Sequence, residues 1–142
     1  MKTLAILFAV LGVMAMLAFD PDVQIETHKA ESVAVNYGIY RNAVNRFATG
    51  TVTITSGQIP DSYLDLPSGW KPMRAWSNRV ENGNCYVWGF AGRAEADEIR
   101  ELFMNSYAVG VKRNGHLVNG HGTGIALPAF IPERSIVSVI TP

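Results

Sequence analysis

Cysteine is nearly absent from this chain: Cys85 is the single one in 142 residues. One thiol cannot close an internal disulfide, so no disulfide framework holds the fold. An excess of charge of either sign is missing too. Twelve Lys and Arg stand against twelve Asp and Glu. They are scattered, with no basic stripe to collect phosphates, which argues against nucleic-acid binding. Internal repeats and low-complexity tracts are also lacking, which excludes a solenoid and leaves a chain of about one domain.

Catalytic and metal-binding patterns are equally scarce. The three histidines are His28, His116 and His121. The last two lie near each other in sequence without a Cys or acidic partner, whereas a metal site needs three or four ligands. No nucleophile-elbow pattern of glycines surrounds a serine. The stretch NGHGTG, residues 119–124, lacks the GK[ST] ending of a phosphate loop and precedes a strand, so it reads as a connection or bulge. Cys85 has no Lys, Arg or His beside it and reads as an inert buried thiol. The acids Glu95, Asp97, Glu98 and Glu101 read as a solvated helix face. Catalytic, cofactor-binding and metal residues are therefore all expected to be none, and the chain is not expected to be an enzyme.

What the chain does have, at its start, is an apolar run. Residues 3–19 carry no charge and Lys2 precedes them. As a helix they would reach about 25 Å, slightly less than a hydrocarbon core of about 30 Å. The segment reads as an uncleaved membrane anchor, with a cleaved signal peptide as the alternative. It has neither a lipobox Cys nor a prepilin-peptidase Gly followed by Glu; the fifth residue after Gly12 is Leu17. Lys2 lies before the span and Asp20, Asp22, Glu26 and Glu31 after it, which orients residues 20–142 to the outside. The division is thus an anchor over 1–19 and an outer domain over 20–142.

From Asp22 to Ala48 the pattern is helical. Ala30, Val33, Tyr37, Tyr40, Val44 and Phe47 fall on one face, with Lys29, Glu31, Asn36, Arg41, Asn45 and Arg46 opposite. Gly38 weakens this helix by about 1 kcal/mol relative to Ala, and Thr49-Gly50 ends it. TVTIT at 51–55 reads as a short strand. Two Asn-Gly pairs predict type I′ hairpins. Asn82-Gly83 joins strands over 72–80 and 85–90, and Asn114-Gly115 joins 108–113 to 116–119. Between them, residues 95–107 read as a second helix, with Ile99, Leu102, Phe103 and Ser106 on one face. SIVSVI, 135–140, is the last strand. Together these predict an α+β domain with both helices on one face of a mostly antiparallel sheet. In CYVWGF both alternating sets are apolar, which implies cover on both faces. The helix stripe docks either on this sheet or on another protein, so Tyr37, Tyr40, Val44, Trp76 and Trp88 are the candidate partner contacts.

Several stretches in this order resemble one family. They are YRNAVNRF after an apolar span, LPSGW, RAW followed by YVWG, and VGVKRNGHLV leading to ALPAFIPERSIVSVI. They resemble PilM, the small protein encoded among type IVb thin-pilus genes of conjugative plasmids, which shares only a name with the actin-like cytoplasmic PilM. The resemblance implies an inner-membrane protein with one span, a cytoplasmic N-terminus and a periplasmic domain. It implies work in pilus biogenesis and conjugation, with other inner-membrane or secretin-associated pilus proteins as partners and no cofactor. The alternatives are a minor pilin-like subunit and a periplasmic enzyme of unknown reaction.

Overall fold

The computed structural model describes residues 21–50 and 54–142, together with Ile6, Phe8 and Met14. Those three apart, the expected anchor at 3–19 lies outside the described residues, as do positions 51–53 of the expected TVTIT strand. Among the described residues no helix is long and apolar enough to cross a membrane.

Helix α1, Pro21–Ala48, follows the sequence periodicity closely. Val33, Tyr37, Tyr40 and Val44 are buried, as are Ala30, Ala34 and Ala43, while residues 22–29 are exposed on every side. Each large side chain removed from water in this way stabilises the fold by about 1.5–3 kcal/mol. The stripe packs on this chain's own sheet, in one core with Val80, Cys85, Val87, Val109, Ile136 and Ile140.

Both Asn-Gly hairpins form as expected. Strands β1 (Ser77–Glu81) and β2 (Asn84–Gly89) flank one; β3 (Val109–Arg113) and β4 (His116–Asn119) flank the other. All four turn residues have positive φ, 52° and 78° for Asn82 and Gly83, 50° and 78° for Asn114 and Gly115. That double left-handed geometry is what a type I′ turn requires. Strand β1 starts later than expected, because residues 71–76 are tied to α1 instead of a ladder. Ile54 and Thr55 are likewise not in a strand; the nearby Gly57 makes one isolated bridge to Val80.

Helix α2 is Arg93–Leu102, shifted from the expected 95–107. It stops in a Schellman motif: Asn105 N donates to Arg100 O and Met104 N to Glu101 O, each at 2.8 Å. Met104 and Asn105 both take φ of 52° there, so Ser106 falls beyond the helix. Ile99 is buried, Phe103 is half-buried, and Leu102 is exposed.

The last two strands complete the sheet. The Gly-rich stretch 119–124 turns straight into β5, Gly122–Ala126, a fully exposed edge strand that begins inside the stretch read as a connection. Its register slips opposite Leu117, making the bulge at Gly124-Ile125. Strand β6, Ile136–Ile140, is buried along its whole length. The order is β1-β2-β6-β3-β4-β5, every pair antiparallel. The final strand therefore joins two hairpins made much earlier in the chain. Its Ile136 and Ile140 face the helices, while Val137 and Val139 face a second cluster with Tyr86, Leu117, Leu127 and Ile131. The proline-punctuated segment 127–134 covers that second face, so this chain itself supplies both covers.

Two glycines mark close approaches of different kinds. A Cβ on Gly110 would lie 2.4 Å from the backbone oxygen of Val118, which the ladder holds in place. A Cβ on Gly38 would lie 2.9 Å from Leu102 Cδ2, the free end of an exposed side chain. We expect Gly110→Ala to cost about 1–3 kcal/mol. Gly38→Ala should be neutral or stabilising by up to about 1 kcal/mol, since helix propensity outweighs a small shift of Leu102. Urea unfolding of both variants checks this contrast; equal losses would contradict it.

Candidate interaction surface

The five candidate contact residues do not share a surface. Tyr37, Tyr40, Val44 and Trp76 are buried, and Trp88 is half-buried on the opposite face of the sheet beside Phe130, at 5.4 Å between ring centroids. Tyr37 meets Trp76 edge-on at 4.9 Å, and Tyr40 stacks on Trp70 at 5.9 Å. Four of the five thus lie inside the core, and the surface available for contact is elsewhere.

The aromatic core is tied together by buried polar groups. The Tyr37 hydroxyl donates to Val87 O at 3.0 Å and lies 2.8 Å from Ser138 Oγ. Burial raises its pKa, since no charge is accommodated there. Tyr40 Oη accepts from Asn78 Nδ2 at 2.7 Å, and burial pushes this hydroxyl up to about 12. Asn78 also satisfies both backbone groups of Ile59, at 2.8 and 3.0 Å, fixing the 54–64 segment beside β1. Asn36, expected on the polar face, is buried. Its Oδ1 accepts from Met73 N at 2.9 Å and Trp76 Nε1 at 2.8 Å, and its Nδ2 donates to Lys71 O at 2.8 Å. A buried amide that satisfies three partners fixes one arrangement, and losing any partner leaves a costly unpaired group.

Glu95 also departs from expectation. It is buried, with Arg74 Nε at 3.2 Å from Oε2, a second contact between Arg74 Nη2 and Oε1, and Gly92 N at 2.9 Å. The last bond caps α2, as an acid at the third helical position does. Lys112 is buried too. Its Nζ donates to Pro128 O at 2.9 Å and Ile131 O at 2.8 Å, holding the covering segment on the sheet. The alternation of β3 places Lys112 opposite Val111, but sequence alone gives no sign that two distant carbonyls await it.

The groups with reactive potential have structural surroundings. Cys85 is wholly buried, and burial pushes its thiol up to about 11. His28 pairs with Glu31 at 3.3 Å, His116 contacts Asn114 O at 3.0 Å, and His121 contacts Asn105 O at 2.6 Å while stacking on Tyr107. Among the described residues no three His, Cys, Asp or Glu are placed to hold a metal ion.

Two concavities stand out. One, about 460 Å³, is mostly apolar and lies past the end of α1 between Phe47, Ile54, Val80, Cys85 and Pro142. The other is an open groove of about 1060 Å³ between α2 and the β3–β4 hairpin. Val111 and Val118 line its floor, and Arg93, Arg100, Arg113 and Arg134 stand around it.

Burial alone would raise the Glu95 carboxyl, but hydrogen bonds from Arg74 and Gly92 and the Arg74 charge together hold it below the ordinary 4.5. Such a carboxylate stabilises the fold fully above its unfolded value, and the contribution is lost as pH falls through the folded value. We therefore expect Glu95→Gln to cost about 1–3 kcal/mol at neutral pH. The gap to wild type should close as pH drops below 4.5. Denaturant midpoints across that window measure it; a gap independent of pH would contradict the assignment.

Comparison with known proteins adds two likenesses. A family model described as PilM matches residues 6–139. A crystal structure of a protein called PilM from Escherichia coli B7A superposes with a TM-score of 0.62 at 23% identity, covering 81% of this chain and 94% of that one. No curated protein matches.

Proposed function

We propose that this chain, which belongs to the PilM family, is a structural component of a pilus assembly machine and acts through protein–protein contacts. The observation that carries this reading is the family match across residues 6–139. The internal chemistry is compatible with it: Tyr37, Tyr40, Asn36, Asn78, Glu95 and Lys112 each spend their polar atoms on holding the fold together. In our reading the machine is the type IVb pilus of bacterial conjugation. Residues 3–19 anchor the chain in the inner membrane, and the exposed first turns of α1 carry the domain into the periplasm. The chain works there without cofactor or catalytic group.

The same exposed turns favour a second reading, a minor pilin-like subunit. Val23 and Ile25 are 58% and 66% exposed at the start of a helix whose later turns pack on an antiparallel sheet. A filament subunit would use such a projecting stretch for packing against its neighbours.

Deleting residues 3–19 in cells carrying the whole pilus operon tests the anchored role. We expect piliation and mating frequency to fall to the level of a complete deletion, with the domain still folded. Wild-type piliation from the truncated protein would reject it. Mass spectrometry of sheared pili separates the two readings, because only a pilin-like subunit is recovered there with a processed N-terminus.

A further inference from the structure

We propose that the groove between α2 and the β3–β4 hairpin docks an acidic, aliphatic segment of a partner protein, an inference that rests on the assembly role proposed above. The four arginines reach it from separate places: Arg93 opens α2, Arg100 lies in its last turn, Arg113 ends β3, and Arg134 precedes β6. Arg93, Arg113 and Arg134 make no side-chain hydrogen bond or ion pair among the described residues. Arg100 is paired with Asp97, yet its Nε is buried without an acceptor. The chain as a whole is neutral, so this concentration of positive charge is local. Like charges gathered around a concavity are unfavourable alone and become favourable when a ligand brings the opposite sign.

Arg134 supplies an independent argument. Its φ is 68°, in the left-handed region that glycine enters freely and a long side chain enters at a cost. Glycine would make this turn without strain. An arginine there points to a use for the side chain, and strained residues cluster where structures bind.

The groove also narrows the kind of ligand. At about 1060 Å³ it stands at the upper end, about 1,000 Å³, of common small-molecule pockets, and it is open to solvent, not enclosed. Val111 and Val118 are half-buried and offer an aliphatic floor. Guanidinium groups hold carboxylates in bidentate fashion, so spaced acids alternating with aliphatic side chains fit best. A nucleic acid fits worse, because its continuous phosphates would meet Asp97 and Glu133 at the lining, and no aromatic ring lines the groove for base stacking.

The test uses the purified full chain in detergent and a fluorescein-labelled peptide alternating Asp or Glu with Val or Leu. We expect saturable binding that weakens as salt rises and falls about tenfold or more in the double variant Arg93→Glu, Arg113→Glu. Arg134→Gly should also weaken binding while its Tm equals or exceeds that of wild type, which separates a binding role from a structural one. The proposal is overturned if the double variant, folded by circular dichroism, binds as wild type does. It is equally overturned if a Lys-substituted peptide binds as well, or if a random single-stranded oligonucleotide binds more tightly. Self-association of the wild type that the double variant abolishes would assign the groove to a second copy, and overturn it too. Peptide binding and piliation fail separately: pili that need the chain without any peptide binding would remove the groove alone. Peptide binding by a chain dispensable for pili would remove only the assembly role.

Discussion

The hydroxyl of Tyr37 sits where three distant parts of the chain meet: the middle of α1, the carbonyl of Val87 in β2, and the hydroxyl of Ser138 in β6. Each of these polar atoms is far from water, so each needs the others. The requirement sets how far α1 slides along the sheet and which way it is rotated. It also places a serine in a strand that is otherwise Ile and Val, where an aliphatic residue would bury more apolar area but leave the tyrosine hydroxyl without its second partner. Around this point the rings of Trp76 and Phe103 close edge-on, at 4.9 and 6.2 Å. The apolar stripe supplies the energy of docking; the tyrosine supplies its register.

A second set of polar residues does for the loops what Tyr37 does for the helix. Asn36 ties residues 71–76 to α1, Asn78 ties 59 to β1, and Lys112 ties 128–131 to β3. Segments with little regular structure thereby become fixed walls of the domain. The second sheet face is thereby covered by residues 127–134 of the same chain. Rigid walls are consistent with the assembly role proposed above, since a contact surface on a fixed frame loses less entropy on binding.

Local chemistry made much of this fold readable. Asn-Gly pairs dictated two hairpins because few other residues take two successive positive φ angles, and the α1 stripe followed from helical spacing. SIVSVI, 135–140, read as a strand from its β-branched run. What could not be read depended on partners far away in the chain. Asn36 and Glu95 have the composition of exposed positions, and only Trp76 and Arg74, met in three dimensions, explain their burial. The strand expected after residues 119–124 starts within them, as β5, because its glycines read as a loop when the pairing with β4 is unknown. The groove was invisible for the same reason: Arg93, Arg100, Arg113 and Arg134 are scattered charges in the sequence and become neighbours only in the folded sheet.

The central place of β6 has a consequence for how damage would spread through the domain. Its two neighbours, β2 and β3, have no ladder bonds to each other and are joined only through it. Without β6 the sheet falls into a two-stranded and a three-stranded piece, and a hairpin on its own is marginal in water. Loss of an edge strand would shorten the sheet; loss of β6 would cut it in two.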